Sequence, residues 1–232
     1  MVRSYKGGGM KRSEINALID EAITLLHEQG IRLPPFAYWS PGEWNQRGTE
    51  CDEIRACKLG WDVTDFGSGR FDQVGLVVFT VRNGHHKDKK YRRKKYAEKM
   101  LIVREGQYTP MHCHRIKSED IIVRSGGNVL CRVYNHGDDD GLLNTPVQVS
   151  LDGVRHQVNA GHTFRLSPGE SITLTPFLYH EFWGEQGSGT AIVGEVSSVN
   201  DDDSDNVFYG ERGRFPAIVE DVSATHKLCT DY

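Results

Sequence analysis

The chain has 232 residues, a net charge of -4, and a composition that is 38% hydrophobic and 26% charged. That length suffices for one sizeable domain with a real core; the mild acidity gives no global reason to expect nucleic acid or an anionic membrane as a partner, and no stretch approaches the ~18 apolar residues of a membrane span. Five cysteines, at 51, 57, 113, 131 and 229, form no C-x-x-C pair, and the first thirty residues hold no apolar signal-type stretch, which together point to reduced thiols in a soluble, cytoplasmic protein.

The leading segment, residues 1–9, precedes a second methionine, Met10, and reads as a cloning scar or an alternative start. Residues 10–232 are read as a single domain. "SEINALIDEAITLLHEQG" predicts a helix, with Ser13 as N-cap, Ile15, Leu18, Ile19, Ala22 and Leu26 at helical spacing, and Gly30 as the stop. The prolines of "LPPFAYWSPGEW" forbid continuation of that helix, and its aromatics suggest a segment packed across a sheet.

From Gln73 onward the character changes to short β-like runs: "VGLVVFTVR", "KMLIVRE", "EDIIVRS", "GNVLCRVYN", "TPVQVSL", "HTFRL", "ESITLT" and "TAIVGEVSSV". Gly, Asn, Asp or Pro punctuates them at close intervals, the pattern of an all-β sandwich or barrel carrying an N-terminal helical arm. Between the first two runs lies "HHKDKKYRRKKYAEK", residues 85–99, with eight Lys and Arg. Its position between strands, in an acidic chain, reads as a solvated excursion rather than a nucleic-acid site. "NDDDSDN", residues 200–206, lacks the spacing of a calcium loop and reads as a capped turn.

The segment "GQYTPMHCHRIKSED" carries the densest chemistry. In an extended strand His112 and His114 point the same way and Cys113 the other. Glu119 adds an oxygen if the chain turns after His114 and re-enters a strand at "EDIIVRS", and such an N,N,O set suits a divalent transition metal.

This segment fits G-x5-H-x-H-x4-E-x6-G through Gly106, His112, His114, Glu119 and Gly126, and resembles the first cupin motif with every position filled. "TPFLYHEFWG" resembles the second cupin motif through Pro176 and His180, although the usual glycine is missing and the Pro-to-His interval is one residue shorter. "EGQYTPMHCHRIKSEDIIVRSGGNVL", "EVSSVNDDDSDNVFYGE" and "GRFPAIVED" narrow the likeness to the D-lyxose isomerases, metal-dependent cupins that act on unphosphorylated sugars. The resemblance implies a cupin jelly roll, a small-molecule sugar substrate and a homodimer. It also implies a divalent metal, manganese first with zinc, cobalt or iron as alternatives, held by His112, His114, Glu119 and His180; His162 is the substitute if His180 is not a ligand.

The proton carriers come from the residues themselves. Lys117 lies between His114 and Glu119, where a neighbouring cation would disfavour its ammonium form. Alternation places Ala191, Val193, Glu195 and Ser197 on one strand face, and a carboxylate facing a barrel interior needs a reason. Glu195 is therefore the candidate base at C2, with a pKa raised by burial, and Glu211 is the third candidate. The activity expected is aldose–ketose isomerisation, D-lyxose to D-xylulose and D-mannose to D-fructose. A non-catalytic sugar-binding cupin and an Fe(II) dioxygenase are the alternatives.

Overall fold

The computed structural model describes residues 9–210 and 213–232; the leading segment, apart from Gly9, and Glu211 lie outside the described residues. Helix α1 spans Arg12–Glu28. The strands are β1 (Gly60–Thr64), β2 (Leu76–Arg82), β3 (Tyr96–Val103), β4 (Tyr108–His114), β5 (Glu119–Gly126), β6 (Val129–His136), β7 (Val147–Leu151), β8 (Val154–Val158), β9 (Thr163–Leu166), β10 (Ser171–Leu174), β11 (Leu178–Gly184), β12 (Ala191–Ser198) and β13 (Asn206–Phe208). They form two antiparallel sheets. One runs β8-β7-β10-β5-β12-β3-β2-β1 and the other β9-β6-β11-β4-β13, with the two-residue strand Leu142–Leu143 against β6.

The sheets close on a core that includes Val123, Val129, Cys131, Leu166, Ile172 and Val193. A second apolar layer covers the outer face of the larger sheet, where Ile15, Ile19 and Leu26 of α1 meet Trp61, Phe79 and Ile192. This double covering explains why β2 reads as a continuous apolar run: Leu76 and Val78 face the inner core while Val77 and Phe79 face the helix. Each fully buried aliphatic side chain of α1 contributes about 2 kcal/mol as an upper estimate. The aromatic segment packs as the sequence suggests. Phe36 stacks on Phe79 at 5.3 Å between ring centroids, and the Trp61 indole donates to Ala37 O at 2.8 Å.

Three local expectations change. The helix begins one residue before Ser13, and Ser13 is not its cap: its backbone N–H and hydroxyl donate to Asp221 at 2.9 and 2.6 Å, so the acceptor comes from the far end of the chain. β structure begins ahead of Gln73: the two-residue strand Met10–Lys11 pairs in parallel with Ile218–Val219, and "GWDVT" at Gly60–Thr64 forms an edge strand whose residues are all buried. The basic run is largely a turn, with Lys94 paired to Glu53, but its last residue Lys99 is buried within β3.

Both motif glycines have backbone reasons. Gly106 (φ +65°) turns the chain from β3 into β4, and Gly126 (φ +78°) ends β5 where a Cβ would stand 2.2 Å from Thr190 O. Among the described residues no helix is long and apolar enough to cross a membrane, and all five cysteines are buried and free.

Candidate metal centre and proton-transfer site

β4 and β11 are neighbours in the smaller sheet, and their register sets His180 opposite His112. A register shift follows between His180 and Phe182, just past this histidine. Glu119 opens β5 after the turn that follows His114. One ligand atom from each of His112, His114, Glu119 and His180 lies within 4.8 Å of the other three. All four side chains are buried. His162 is exposed, its ring 4.6 Å from Phe164, and it is not in the cluster.

The hydrogen bonds around the imidazoles prepare them for a cation. His112 Nδ1 lies 2.7 Å from Pro110 O and His180 Nδ1 3.0 Å from Leu178 O. A carbonyl oxygen only accepts, so both Nδ1 atoms carry hydrogen and, in the neutral rings, both Nε2 atoms keep a lone pair. His180 Nε2 then faces Glu119 Oε1 at 3.1 Å without forming a hydrogen bond. Two acceptors so close in a buried site repel unless a positive ion lies against them, and that contact is the best fit of these residues to a divalent metal. His114 Nδ1 is also buried without a partner. Burial pushes His112 well below the usual imidazole range, helped by His180 and His114, and burial with the adjacent Lys117 ammonium lowers His114. Both stay neutral, as ligands must.

Beside the cluster lies a chain of buried charges. Lys117 Nζ sits 2.5 Å from Glu119 Oε2 and 2.9 Å from Glu195 Oε1. Lys99 Nζ approaches the two Glu195 oxygens at 3.1 and 3.3 Å and donates to Asn200 Oδ1 at 2.8 Å. β12 pairs Glu195 with Lys99 on one side and Ile121 on the other, and the expected alternation holds: Ala191 and Val193 face the core with it, while Ile192 faces the helix.

The direction of the Glu195 titration differs from the sequence expectation. Burial does act to raise Glu195, but Lys117 and Lys99 outweigh it and hold the carboxyl below its ordinary range. Burial likewise opposes the Lys117 charge, yet Glu119 and Glu195 hold its ammonium above the usual lysine range. These two carboxylates act on Lys117 in the sense opposite to that of a neighbouring metal cation.

Two groups in this site escaped the sequence reading. Lys99 was hidden in the basic run, although strand alternation places it with Leu101 and Val103, which face the core. Asp205, read as part of a capped turn, caps a different one: its carboxylate accepts from the backbone N–H of Arg115 (3.0 Å), Ile116 (2.7 Å) and Lys117 (3.0 Å). This fixes the turn that aims Lys117 inward. Asp205→Ala is expected to lower stability by about 1 to 3 kcal/mol, because the buried Lys117 N–H and the two part-buried N–H groups of Arg115 and Ile116 lose a charged acceptor. Urea unfolding checks it, and a loss under about 0.5 kcal/mol would show that the carboxylate does not hold the turn.

A sequence model of the D-lyxose isomerase family matches residues 10–232. The D-lyxose/D-mannose isomerase of Serratia proteamaculans is 50% identical over 200 residues, covering 86% of this chain and 87% of that protein. The corresponding protein of Escherichia coli O157:H7 is 47% identical over 224 residues, covering 96% and 98%. Among solved structures, a variant of Acinetobacter sp. DL28 L-ribose isomerase in complex with L-ribose superposes with a TM-score of 0.61 at 15% identity, over 93% of this chain and all of that one. Cellulomonas parahominis L-ribose isomerase with L-psicose gives 0.57 at 18%, over 91% and 99%. These likenesses, with the two closed antiparallel sheets, place the fold among the cupins.

Proposed function

The chain belongs to the D-lyxose isomerase family, and on that premise we propose that it interconverts free aldoses and ketoses, D-lyxose with D-xylulose and D-mannose with D-fructose. His112, His114, Glu119 and His180 hold a divalent metal, manganese first, and Glu195 and Lys117 move the protons. The observation that supports this most is the joining of the acceptor-rich cluster to the Lys117–Glu195 pair in one cavity. A metal bound by the cluster supplies Lewis acidity toward adjacent sugar oxygens.

The chain's own residues supply the rest. Glu195, ionised between two ammoniums, takes the C2 proton of the aldose and returns it to C1. Lys117 donates to the carbonyl oxygen at C1 as that oxygen gains charge, and recovers a proton from the C2 hydroxyl as the ketose forms. Every proton removed is replaced, and no oxidant is consumed. The long aliphatic stem of Lys117 is fixed by the Asp205-capped turn, so the ammonium is positioned before the sugar enters. The homodimer and the cytoplasmic location belong to the same proposal; β8 supports self-association, since it is a sheet edge with no partner strand on its outer side among the described residues and with Val154 59% exposed.

The reading is tested by incubating manganese-loaded protein with a panel of aldoses under argon and in air. Ketose is expected at equal rates in both, with D-lyxose and D-mannose among the substrates. Product that requires oxygen would mark a dioxygenase, and binding without any product would mark a sugar-binding cupin; either overturns the proposal.

A further inference from the structure

The proton chemistry leaves one wall of the cavity unused. β13 pairs with β4 so that Asn206 stands beside His114 and Phe208 beside His112, which turns both side chains toward the cavity of the metal cluster. Asn206 Nδ2 donates to Asp202 Oδ1 at 3.2 Å, and the same oxygen accepts from Arg214 Nε at 3.2 Å. The Arg214 guanidinium is also ion-paired to Asp62, its Nη1 lying 2.5 Å from Oδ2. A guanidinium carries five N–H donors, and among the described residues the two carboxylates engage only Nε and Nη1, so Nη2 is left to donate to a ligand. Across the cavity Phe66 and Phe208 meet edge to face at 5.9 Å and present apolar surface.

An open-chain sugar matches such a lining. Each hydroxyl both donates and accepts, so it is read by side chains that pair a donor with an acceptor, while its C–H faces suit aromatic surface. A site built this way discriminates strongly, because an analogue lacking one hydroxyl leaves buried polar groups unpaired. We propose that Asp202, Asn206 and Arg214 form a polyol-reading wall that binds the sugar hydroxyls beyond C2 and sets which aldoses are accepted. This assignment rests on the sugar-isomerase reading and adds to it the residues that select the substrate.

The test uses manganese-loaded full-length protein with Asn206→Ala and Arg214→Lys, and Asn206→Ser should the alanine variant fold poorly. For the folded variants the KM for D-lyxose is expected to rise on the order of 10- to 100-fold, with kcat changed by less than about 3-fold and metal content unchanged. The KM penalty that the unmodified protein imposes on 5-deoxy-D-lyxose is expected to shrink in the same variants. Calorimetric titration with xylitol, which cannot isomerise, reads the wall without turnover. If the unmodified protein turns over D-lyxose and the folded variants keep its KM and its deoxy penalty, the wall is wrong and the isomerase reading stands. If it turns over no aldose but binds xylitol and the variants do not, the wall stands and the isomerase reading falls; binding of neither overturns both.

Discussion

His112→Ala and His114→Ala are each expected to lose bound divalent metal and turnover together, and His180→Ala to do the same. Removing one imidazole leaves two nitrogens and a carboxylate, too weak a shell to retain the ion at low free concentration. Because the metal contributes several kcal/mol to the transition state, kcat/KM should fall by about 10³-fold or more. The fold should survive, since Glu119 keeps its ion pair with Lys117 when a histidine is removed and, among the described residues, His112 and His180 hydrogen-bond only to carbonyls of their own strands through Nδ1. Metal stoichiometry by mass spectrometry beside the kinetics makes the check. His162→Ala serves as the control that should keep both metal and activity, its ring lying against Phe164 away from the cluster. Full metal occupancy in His112→Ala or His114→Ala would remove the cluster as the metal centre.

The difference between what could and could not be read from the sequence follows the range of the interactions. His112, His114 and Glu119 lie within eight residues of one another, and strand alternation with one turn is enough to converge them. His180 is reached only through the likeness of "TPFLYHEFWG" to the second cupin motif, because alternation alone does not bring it to the others: its place opposite His112 depends on the pairing of β11 with β4. Glu195 was found because a carboxylate interrupts an apolar face, but the sign of its shift depends on Lys99 and Lys117, which two other parts of the chain bring to it. Lys99 reads as solvated because it ends a basic run; although it also heads the β run "KMLIVRE", the burial of its side chain follows only from the neighbouring strands β2 and β12. Asp202, Asp205 and Asn206 sit in one acidic stretch whose composition says turn. Their separate tasks, lining the cavity, capping the turn at Lys117 and standing beside His114, appear only once that stretch is laid across the mouth of the sheet. Ser13 shows the same limit on a smaller scale, since Asp221 takes the role its own side chain was expected to fill.

Glu195→Gln is the variant that separates catalysis from binding. The amide has the shape of the carboxylate and is not a ligand in the cluster, so metal content and sugar binding should stay, and Lys117 keeps Glu119 as its counter-ion. What is lost is the group that takes the C2 proton. General acid–base catalysis contributes ~10²- to 10⁴-fold, so kcat should fall within that range. The pH dependence has a fixed sign. A base is active when ionised, and although burial acts to raise the Glu195 carboxyl, Lys117 and Lys99 hold it below its ordinary range. Its activity is therefore complete above the usual carboxylate value of about 4.3 and is lost only as pH falls through the lower folded value. Lys99→Met removes one of the two ammoniums, so the acid limb of kcat should move to higher pH, which a purely structural role for Lys99 would not produce. Exchange reads the same residue directly: a proton carried on Glu195 trades with solvent, so ketose formed in D2O by the unmodified protein should carry deuterium at C1, whereas a hydride shift would leave none. A Glu195→Gln variant that turns over at nearly the rate of the unmodified protein would dismiss this carboxylate as the base and pass the role to Glu211, while leaving the metal assignment where it stands.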